Sequence, residues 1–238
     1  MTPVLAVRNL AVSFASRPII NKLSFDVYSA DTLAILGPNG AGKTILLRAL
    51  LNLVPYSGVI EWAPGTRLGY VPQKIAADRQ LPIQVQDLLA AKARILKLPP
   101  SEIASVAEAV ELPRDLLATS IGALSGGQFQ KALIAFALLG SPDVLLFDEP
   151  TASLDELSEE RVYSLLTDLQ RSRALTVLLV SHDLSVVYQS ANKVLCLSKD
   201  TVCFGAPREI LTPETLAAVY SAPATFYSHA QHRRIADE

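Results

Sequence analysis

The stretch Gly37-Pro38-Asn39-Gly40-Ala41-Gly42-Lys43-Thr44 decides the fold. It fits G-x-x-x-x-G-K-[ST], the pattern of a loop whose backbone N–H groups surround the phosphates of a nucleotide. The apolar run 33–36 before it is typical of a buried parallel strand, and 45–51 after it consists of good helix formers. The order of strand, loop and helix predicts a phosphate-binding loop rather than a glycine-rich turn with a chance Lys-Thr pair. The glycine spacing does not fit the dinucleotide pattern G-x-G-x-x-G.

Each residue type in this loop suits phosphate chemistry. Glycines let backbone N–H groups approach phosphate oxygens without a Cβ atom in the way. The helix that follows adds N–H donors and a partial positive charge at its N-terminus. Lys43 is expected to place its ammonium on the β- and γ-phosphates, and the Thr44 hydroxyl to complete the ligand shell of a Mg²⁺ ion.

The bulk composition indicates one large domain, with room for a small insertion, and argues against several classes of partner. The chain has 238 residues, with 23 acidic and 21 basic side chains that give a formal charge of −2. The sequence has no strongly basic region of the kind that indicates a nucleic-acid partner. It also has no run of about 18 uncharged apolar residues of the kind that indicates a membrane span. Half of the residues are hydrophobic and only 18% are charged, which suggests surface kept for protein partners.

The start of the sequence and its cysteines indicate a cytoplasmic protein. Residues 1–5 lack the basic region and apolar core of a signal peptide. Cys196 and Cys203 are the only two cysteines, which is too few to imply a disulfide framework. They flank a predicted turn at 198–200 and can face each other across a hairpin, and we expect them to be packed and reduced.

The predicted elements form one domain over 1–223 with a helical insertion at about 85–140. Residues 5–14 and 23–27 alternate in polarity and predict antiparallel strands ahead of the phosphate loop. The insertion lacks strand patterns and consists of helical segments interrupted by prolines. The tail 224–238 is expected to be loosely ordered.

Four polar residues stand where predicted parallel strands end, at the sheet edge where ligands bind in open α/β folds. Asp148 and Glu149 end an apolar strand, so Asp148 is predicted to hold Mg²⁺ and Glu149 to polarise the attacking water. An acidic helix cap is the alternative. Gln73 opens a loop after a short strand, and His182 follows another apolar strand as a predicted phosphate contact, with a purely structural role as its alternative.

Two further stretches are candidates for nucleotide contact. Leu124-Ser125-Gly126-Gly127-Gln128 precedes an apolar helix, and Ser125 can cap it while the glycines leave its first amides bare. This predicts a second anion site, which one nucleotide-binding chain could use to clamp the nucleotide of another copy, although a capped helix start is the simpler interpretation. Phe14 can stack on a base, while a core position fits its pattern equally well.

Taken together, these motifs resemble the ATP-binding subunits of ABC transporters over nearly the whole chain, from about Leu5 to Tyr220. Residues 37–44 match the Walker A motif, 144–149 match Walker B, and 124–128 match the family's LSGGQ signature. By the same resemblance four residues occupy the Q-loop, D-loop, switch-histidine and A-loop positions, namely Gln73, Asp155, His182 and Phe14. Phe14 departs from the Tyr that many members carry, so it can stack but lacks the hydroxyl.

The resemblance implies an α/β fold of the ABC-type P-loop NTPase class, with a mostly parallel central sheet, an antiparallel N-terminal β-subdomain and an inserted α-helical subdomain. It implies ATP and Mg²⁺ as cofactors. The residues it implies for catalysis are Lys43, Gln73, Glu149 and His182. Those it implies for metal binding are Thr44, Gln73 and Asp148. Those it implies for nucleotide binding are Phe14, Gly37, Pro38, Asn39, Gly40, Ala41, Gly42, Lys43, Thr44, Ser125, Gly126, Gly127, Gln128 and Asp155.

The resemblance also implies partners and a place in the cell. Two copies would face head to tail, with each ATP between one copy's Walker A loop and the other's signature. The dimer would sit peripherally on the inner face of the cell membrane, against integral membrane permease subunits, and would serve a periplasmic or surface metal-binding protein indirectly. Residues 81–87 resemble a stretch of metal-ion and iron-chelate importers, and 204–220 are similar to zinc/manganese importer ATPases.

Other functions account for less of the sequence. An iron-chelate importer ATPase and a soluble ABC ATPase, such as an iron–sulfur cluster assembly factor, share the same motifs and remain alternatives. A GTPase switch would need an Asn-Lys-x-Asp guanine reader, and residues 198–200 lack both the Asn and the spacing. A kinase built on the same phosphate loop would leave the signature stretch unexplained.

Overall fold

The computed structural model describes residues 2–15, 17–73, 82–149, 156–198 and 202–220. They divide into two units, which are taken separately below. The first, here called the helical unit, comprises residues 2–4, Tyr28–Ala30 and the described residues between Ala63 and Leu179. The second, here called the loop unit because it contains the phosphate loop, comprises Leu5–Val27, Asp31–Trp62 and the described residues from Val180 onward.

The loop unit contains an antiparallel three-stranded sheet of order β2–β1–β4. Its strands are β1 (Leu5–Phe14), β2 (Arg17–Val27) and β4 (Ser57–Trp62). The buried positions of β1 change from odd to even numbers because its register shifts around Asn9, whose φ is 50°. Strand β2 begins earlier than the alternation at 23–27 predicts, since an edge strand tolerates Pro18.

The strand that leads into the phosphate loop belongs to a second group in the same unit. Strand β3 (Thr32–Leu36) pairs in parallel with β8 (Lys193–Leu197), which pairs antiparallel with β9 (Val202–Gly205). All five residues of β3 are buried, as expected of a parallel strand. The helices of this unit are α1 (Lys43–Leu50), α6 (Leu184–Ser190), α7 (Pro207–Ile210) and α8 (Pro213–Tyr220).

The helical unit combines short parallel strands with the helices of the predicted insertion. Strands β5 (Leu68–Val71), β6 (Val144–Asp148) and β7 (Thr176–Val180) are neighbours in that order, and β5 and β6 pair in parallel. The helices are α2 (Val85–Ile95), α3 (Ser101–Ala109), α4 (Gly126–Leu138) and α5 (Glu156–Arg173), with 3₁₀ turns at Arg114–Ala118 and Ile121–Ala123. The parallel strand pairs and the separate antiparallel sheet agree with the predicted fold class. Within the described residues, no helix combines the length and the apolar character needed to cross a membrane.

An ion pair joins the starts of β5 and β6. The Arg67 guanidinium and backbone N–H both donate to the Asp143 carboxylate, at 3.1 Å from Nη2 and 2.8 Å from the backbone nitrogen. The hydrogen bond from the Arg67 side chain lowers the pKa of Asp143. Both side chains are well exposed, so the pair contributes to the register of the two strands more than to stability.

A second cation, Lys92 on α2, binds the end of α4. Its Nζ donates to the Phe136 carbonyl at 2.6 Å and lies 4.7 Å from the centre of the Phe136 ring. A longer hydrogen bond of 3.4 Å reaches the Ala137 carbonyl. Lys92 therefore caps the negative end of α4, the helix that begins at the signature stretch. Burial lowers the pKa of Lys92, because the interior disfavours its charged form.

We expect Lys92 to make stability depend on pH in the alkaline range. When the pKa of a lysine is lower in the folded than in the unfolded state, burying its charge lowers the free energy of unfolding at every pH below the folded-state pKa. This loss of stability disappears as pH rises toward the unfolded-state pKa, which is about 10.4. The difference in Tm between wild type and Lys92→Met should therefore shift in favour of wild type as pH rises through the lowered folded-state pKa toward about 10.4. Lys22→Met, which alters an exposed lysine, is the control. A wild-type advantage that shrinks over this range would contradict the pKa direction.

Candidate active site

The phosphate loop lies between β3 and α1 in the loop unit. Gly37, Gly40 and Gly42 have φ angles of 151°, 81° and 97°, values that favour glycine. Gly42 is the N-cap residue of α1, and within the described part of the chain no side chain makes a cap hydrogen bond there. The positive end of α1 is therefore not capped by the protein itself, which suits an anion bound from outside.

Gly37 is required by a close approach of backbone to backbone. A Cβ atom at this position would collide with the carbonyl oxygen of Leu197, the last residue of β8. Gly40 differs, because a Cβ atom there would meet nothing within 4 Å. The first glycine of the loop therefore allows β8 to lie against the loop, while the second serves the turn alone.

Lys43 lies inside the loop. Only 5% of it is exposed, and its Nζ donates to the carbonyl oxygens of Gly37 at 2.8 Å and Pro38 at 3.3 Å. The Pro38 carbonyl also accepts the N–H of Ala41 at 3.1 Å and so closes the turn. The loop thus surrounds its own cation, in the place where the sequence predicts contact with phosphates.

The predicted carboxylates lie in the helical unit, at the end of β6. Asp148 ends the strand and is 1% exposed, and the Tyr70 hydroxyl of β5 donates to its Oδ2 at 3.4 Å. Glu149 follows with φ of 49°, a left-handed conformation that is uncommon for a residue with a side chain. The Gln73 amide Nε2 donates to Glu149 Oε2. The structure therefore brings together Gln73, Asp148 and Glu149, three residues that the sequence places at strand ends.

Tyr70 was not predicted to be a site residue. Its hydrogen bond to Asp148 follows from the parallel register, in which Tyr70 faces Leu146 and Val71 faces Phe147. The sequence contains one signal for it, since Tyr70 stands three residues before Gln73 in a strand predicted to end at the same edge. A polar side chain there can reach the end of the next strand.

The signature stretch begins α4 with a reciprocal cap. Ser125 Oγ accepts the backbone N–H of Gln128 at 3.3 Å, and Gln128 Oε1 accepts the backbone N–H of Ser125 at 2.9 Å. The capping prediction for Ser125 is confirmed. The cap uses the amide of Gln128, so those of Gly126 and Gly127 remain in the first turn, where the sequence predicts the second anion site. A Cβ atom at Gly127 would lie 3.5 Å from Ser158 Oγ, which is ordinary contact.

The remaining predicted residues are Phe14, His182 and Asp155. Phe14 ends β1 and is 44% exposed, so the alternative of a core position is wrong and its ring is accessible for stacking. His182 is exposed in the loop unit, between the buried Ser181 and the N-cap residue of α6, Asp183. Asp155, predicted to contact nucleotide, lies outside the described residues.

Comparison with known proteins identifies the family. The family model described as ABC transporter matches residues 20–152, which include the phosphate loop, the signature and the acidic strand end. The chain therefore belongs to the ABC transporter family as an ATPase, an enzyme that hydrolyses ATP, and the predicted fold class is confirmed.

The relatives extend this match to nearly the whole chain. The zinc import ATP-binding protein ZnuC of Cereibacter sphaeroides is 37% identical over 222 residues, with 91% of this chain and 88% of that protein covered. ZnuC of Yersinia pseudotuberculosis is 39% identical over 220 residues, with 91% and 85% covered. A solved structure of a metal-chelate type ABC transporter in an inward-facing conformation matches with a TM-score of 0.85 and 33% identity, over 94% of this chain and 90% of that one.

The contrast between Gly37 and Gly40 gives a test of the loop geometry. Gly37→Ala should lower Tm by several degrees and weaken ATP binding at least about tenfold, because the new Cβ atom pushes the loop away from the Leu197 carbonyl. Gly40→Ala is the matched control. Gly40→Ala also places a side chain at positive φ, but this side chain points into open space. It should therefore lower the free energy of unfolding by about 1 kcal/mol and weaken ATP binding less than Gly37→Ala does. Thermal unfolding and titration with a fluorescent ATP analogue measure both. Equal effects of the two variants would argue against the role of the Leu197 contact.

Proposed function

We propose that this chain is the ATP-hydrolysing subunit of a zinc importer. In this function two copies close head to tail on two ATP molecules, and hydrolysis separates them again. The motion is passed to integral membrane permease subunits, and a periplasmic or surface binding protein delivers the ion. The chain then works peripherally on the inner face of the membrane.

One observation supports the zinc assignment most strongly. Relatives from several bacteria that are named zinc import ATP-binding proteins match about nine tenths of this chain and most of their own length. The match therefore extends beyond the nucleotide motifs to nearly the whole chain. Import of manganese and import of an iron chelate are the alternative functions. The similarity to the solved metal-chelate type transporter is the observation in favour of iron-chelate import.

In the loop unit, the proposed roles follow from the phosphate loop. The backbone of Gly37–Thr44 binds the phosphates, the Lys43 ammonium neutralises β- and γ-phosphate charge, and the exposed Phe14 ring stacks on the adenine. His182 contacts the γ-phosphate. These assignments rest on the family motif and on the accessible or interior position of each side chain.

Magnesium suits the oxygen donors that the chain offers. The Thr44 hydroxyl, the Asp148 carboxylate and the Gln73 amide oxygen are hard ligands, and the burial of Asp148 favours a cation as its partner. When bound with ATP, Mg²⁺ neutralises charge that develops on the phosphate oxygens. The Tyr70 hydroxyl holds the carboxylate of Asp148 in one orientation.

Glu149 is the proposed general base. Its carboxylate accepts from Gln73, and its left-handed backbone places it just past the end of β6. The Gln73 amide donates to the Glu149 carboxylate, so this hydrogen bond orients the base before a water molecule is activated.

The signature stretch acts on the nucleotide of the partner copy. Ser125, Gly126 and Gly127 begin α4, whose positive end attracts the γ-phosphate, and the Ser125–Gln128 cap fixes the shape of that end. At its other end α4 is held by Lys92 of α2. Asp155 is proposed to contribute to the same interface between the two copies.

The function is tested by recovery from membranes. The tagged full-length protein is isolated from membranes of its own organism with its bound subunits, and the co-purified binding protein is assayed for metal. Permease subunits with a Zn²⁺-loaded binding protein support the proposal. A binding protein loaded with manganese or an iron chelate would identify that species, and not zinc, as the transported substrate. Recovery of a soluble partner without a membrane subunit would favour a role in iron–sulfur cluster assembly.

Glu149→Gln should bind ATP and fail to turn it over. Removing the base should lower kcat roughly 100-fold or more, while the phosphate loop that binds ATP is unchanged. The variant should accumulate as a dimer with ATP, as followed by light scattering during gel filtration. Glu108→Gln, on an exposed position of α3, is the charge-matched control and should behave as wild type. A Glu149→Gln protein that stays monomeric in excess ATP would argue against the sandwich dimer.

Ser125→Arg should separate ATP binding from closure. The large cation would fill the space at the start of α4 that the partner's γ-phosphate needs, so hydrolysis should fall at least about 100-fold while the Kd for ATP stays within about twofold. Ser125→Ala removes the same cap, worth about 1 kcal/mol, without the bulk, and should keep more activity. Loss of ATP binding in Ser125→Arg would count against a role of the signature on the partner's nucleotide.

A further inference from the structure

The loop unit contains a cysteine pair that the proposed ATPase function does not use. Cys196 of β8 and Cys203 of β9 face each other in the antiparallel register and form a disulfide, with their Cα atoms 4.9 Å apart. The sequence predicts the facing position correctly, but it predicts reduced thiols. These are the only two cysteines of the chain, so no other cysteine competes for the pairing.

The two sulfurs differ in access. Cys196 is fully buried, whereas Cys203 is partly exposed on β9, the edge strand of its group. A reagent in solution can therefore reach Cys203 first, and Cys196 is held opposite it to complete the exchange. An accessible thiol with a partner fixed beside it is the arrangement that favours reversible oxidation over stable adducts.

The pair lies directly behind the phosphate loop. Cys196 faces Leu36 in the parallel ladder between β3 and β8, and Leu36 is the residue before Gly37. The next residue of β8, Leu197, supplies the carbonyl oxygen that lies against Gly37. Cys196 also belongs to the buried cluster of Leu36, Leu211 and Leu216, against which Cys203 packs. If β8 or β9 is displaced at the cysteines, the position of Gly37, the first residue of the phosphate loop, is therefore expected to change as well.

We infer that Cys196 and Cys203 form a thiol–disulfide modification site that adjusts ATP binding, an inference that rests on ATP binding by the phosphate loop. Bonded sulfur atoms lie about 2.05 Å apart, whereas two thiols need the wider spacing of non-bonded atoms. Cys196 cannot retreat into its closely packed surroundings, so on reduction Cys203 and β9 move outward. The disulfide fixes β8 against the loop, and reduction loosens that support.

The exchange balances with a small-molecule disulfide as the oxidant. The Cys203 thiolate attacks one sulfur of the small disulfide, forms a mixed disulfide and releases one small thiolate. The Cys196 thiolate then attacks the Cys203 sulfur and releases the second small thiolate. The protein pair loses two electrons and two protons, and the small disulfide becomes two thiols.

The test equilibrates the full-length protein in anaerobic glutathione buffers of graded ratio, followed by alkylation and mass spectrometry. We expect a two-electron transition between a form with two alkylated cysteines and a form with none. Across that transition the oxidised form should gain roughly 4–10 °C in Tm, as a cross-link over a separation of 7 residues predicts. It should also bind ATP roughly fivefold more tightly, at the lower end of coupling between sites.

Cys203→Ser is the control, because it removes the accessible sulfur at a position that is not fully buried. Its Tm and its Kd for ATP should not respond to the glutathione ratio. Persistence of two thiols in excess oxidised glutathione, or glutathione adducts alone on Cys203, would overturn the inference. Equal ATP binding by the two forms would overturn the coupling and leave the proposed ATPase function standing, whereas no ATP binding in either form would overturn both.

Discussion

The start of α1 is the point on which the ATP chemistry depends, because its first backbone N–H groups and its positive helix end are the groups that bind phosphate. The first turn of α4 is capped by a side chain, because Ser125 Oγ accepts the backbone N–H of Gln128. Helix α1 instead begins after Gly42, which has a left-handed conformation and receives no side-chain cap hydrogen bond from the residues that the structure describes. Its first residue, Lys43, turns its ammonium back into the loop. The loop therefore places the positive end of a helix and a lysine ammonium side by side. A buried parallel strand on one side and the close approach of β8 on the other hold this arrangement in place.

The two candidate anion sites, at the starts of α1 and α4, differ in how their helices are capped. At α4 the reciprocal cap uses two backbone amides, those of Ser125 and Gln128, and two side-chain oxygens, and it fixes the shape that a second molecule would contact. At the opposite end of the same helix, Lys92 of α2 donates to the Phe136 carbonyl, so side chains satisfy backbone groups at both ends of α4.

The sequence predicts the fold class and the strand-end location of Gln73, Asp148 and Glu149, because local patterns specify strands and loops and the rule for open sheets specifies the edge. It does not predict the hydrogen bond of Tyr70 to Asp148, nor that of Gln73 to Glu149, because cross-strand contacts depend on register, which no single strand encodes. Lys92 was likewise missed, since its partners are backbone carbonyls 44 and 45 positions away. The cysteines were placed across a hairpin correctly, but their oxidation state depends on a spacing that only the folded pair defines. The proposed roles of Phe14, His182 and Asp155 remain predictions.

The contact between Gly37 and Leu197 also has a consequence for how this segment can evolve. One partner is a backbone carbonyl, which every residue type provides, so the side chain at 197 can change while the atom that excludes a Cβ atom at 37 stays in place. Selection would then hold the glycine without holding any particular residue beside it. Methods that look for correlated substitutions would find no partner for position 37, even though a Cβ atom there would collide with the Leu197 carbonyl oxygen. The constraint is carried by the path of the chain and not by a pair of side chains.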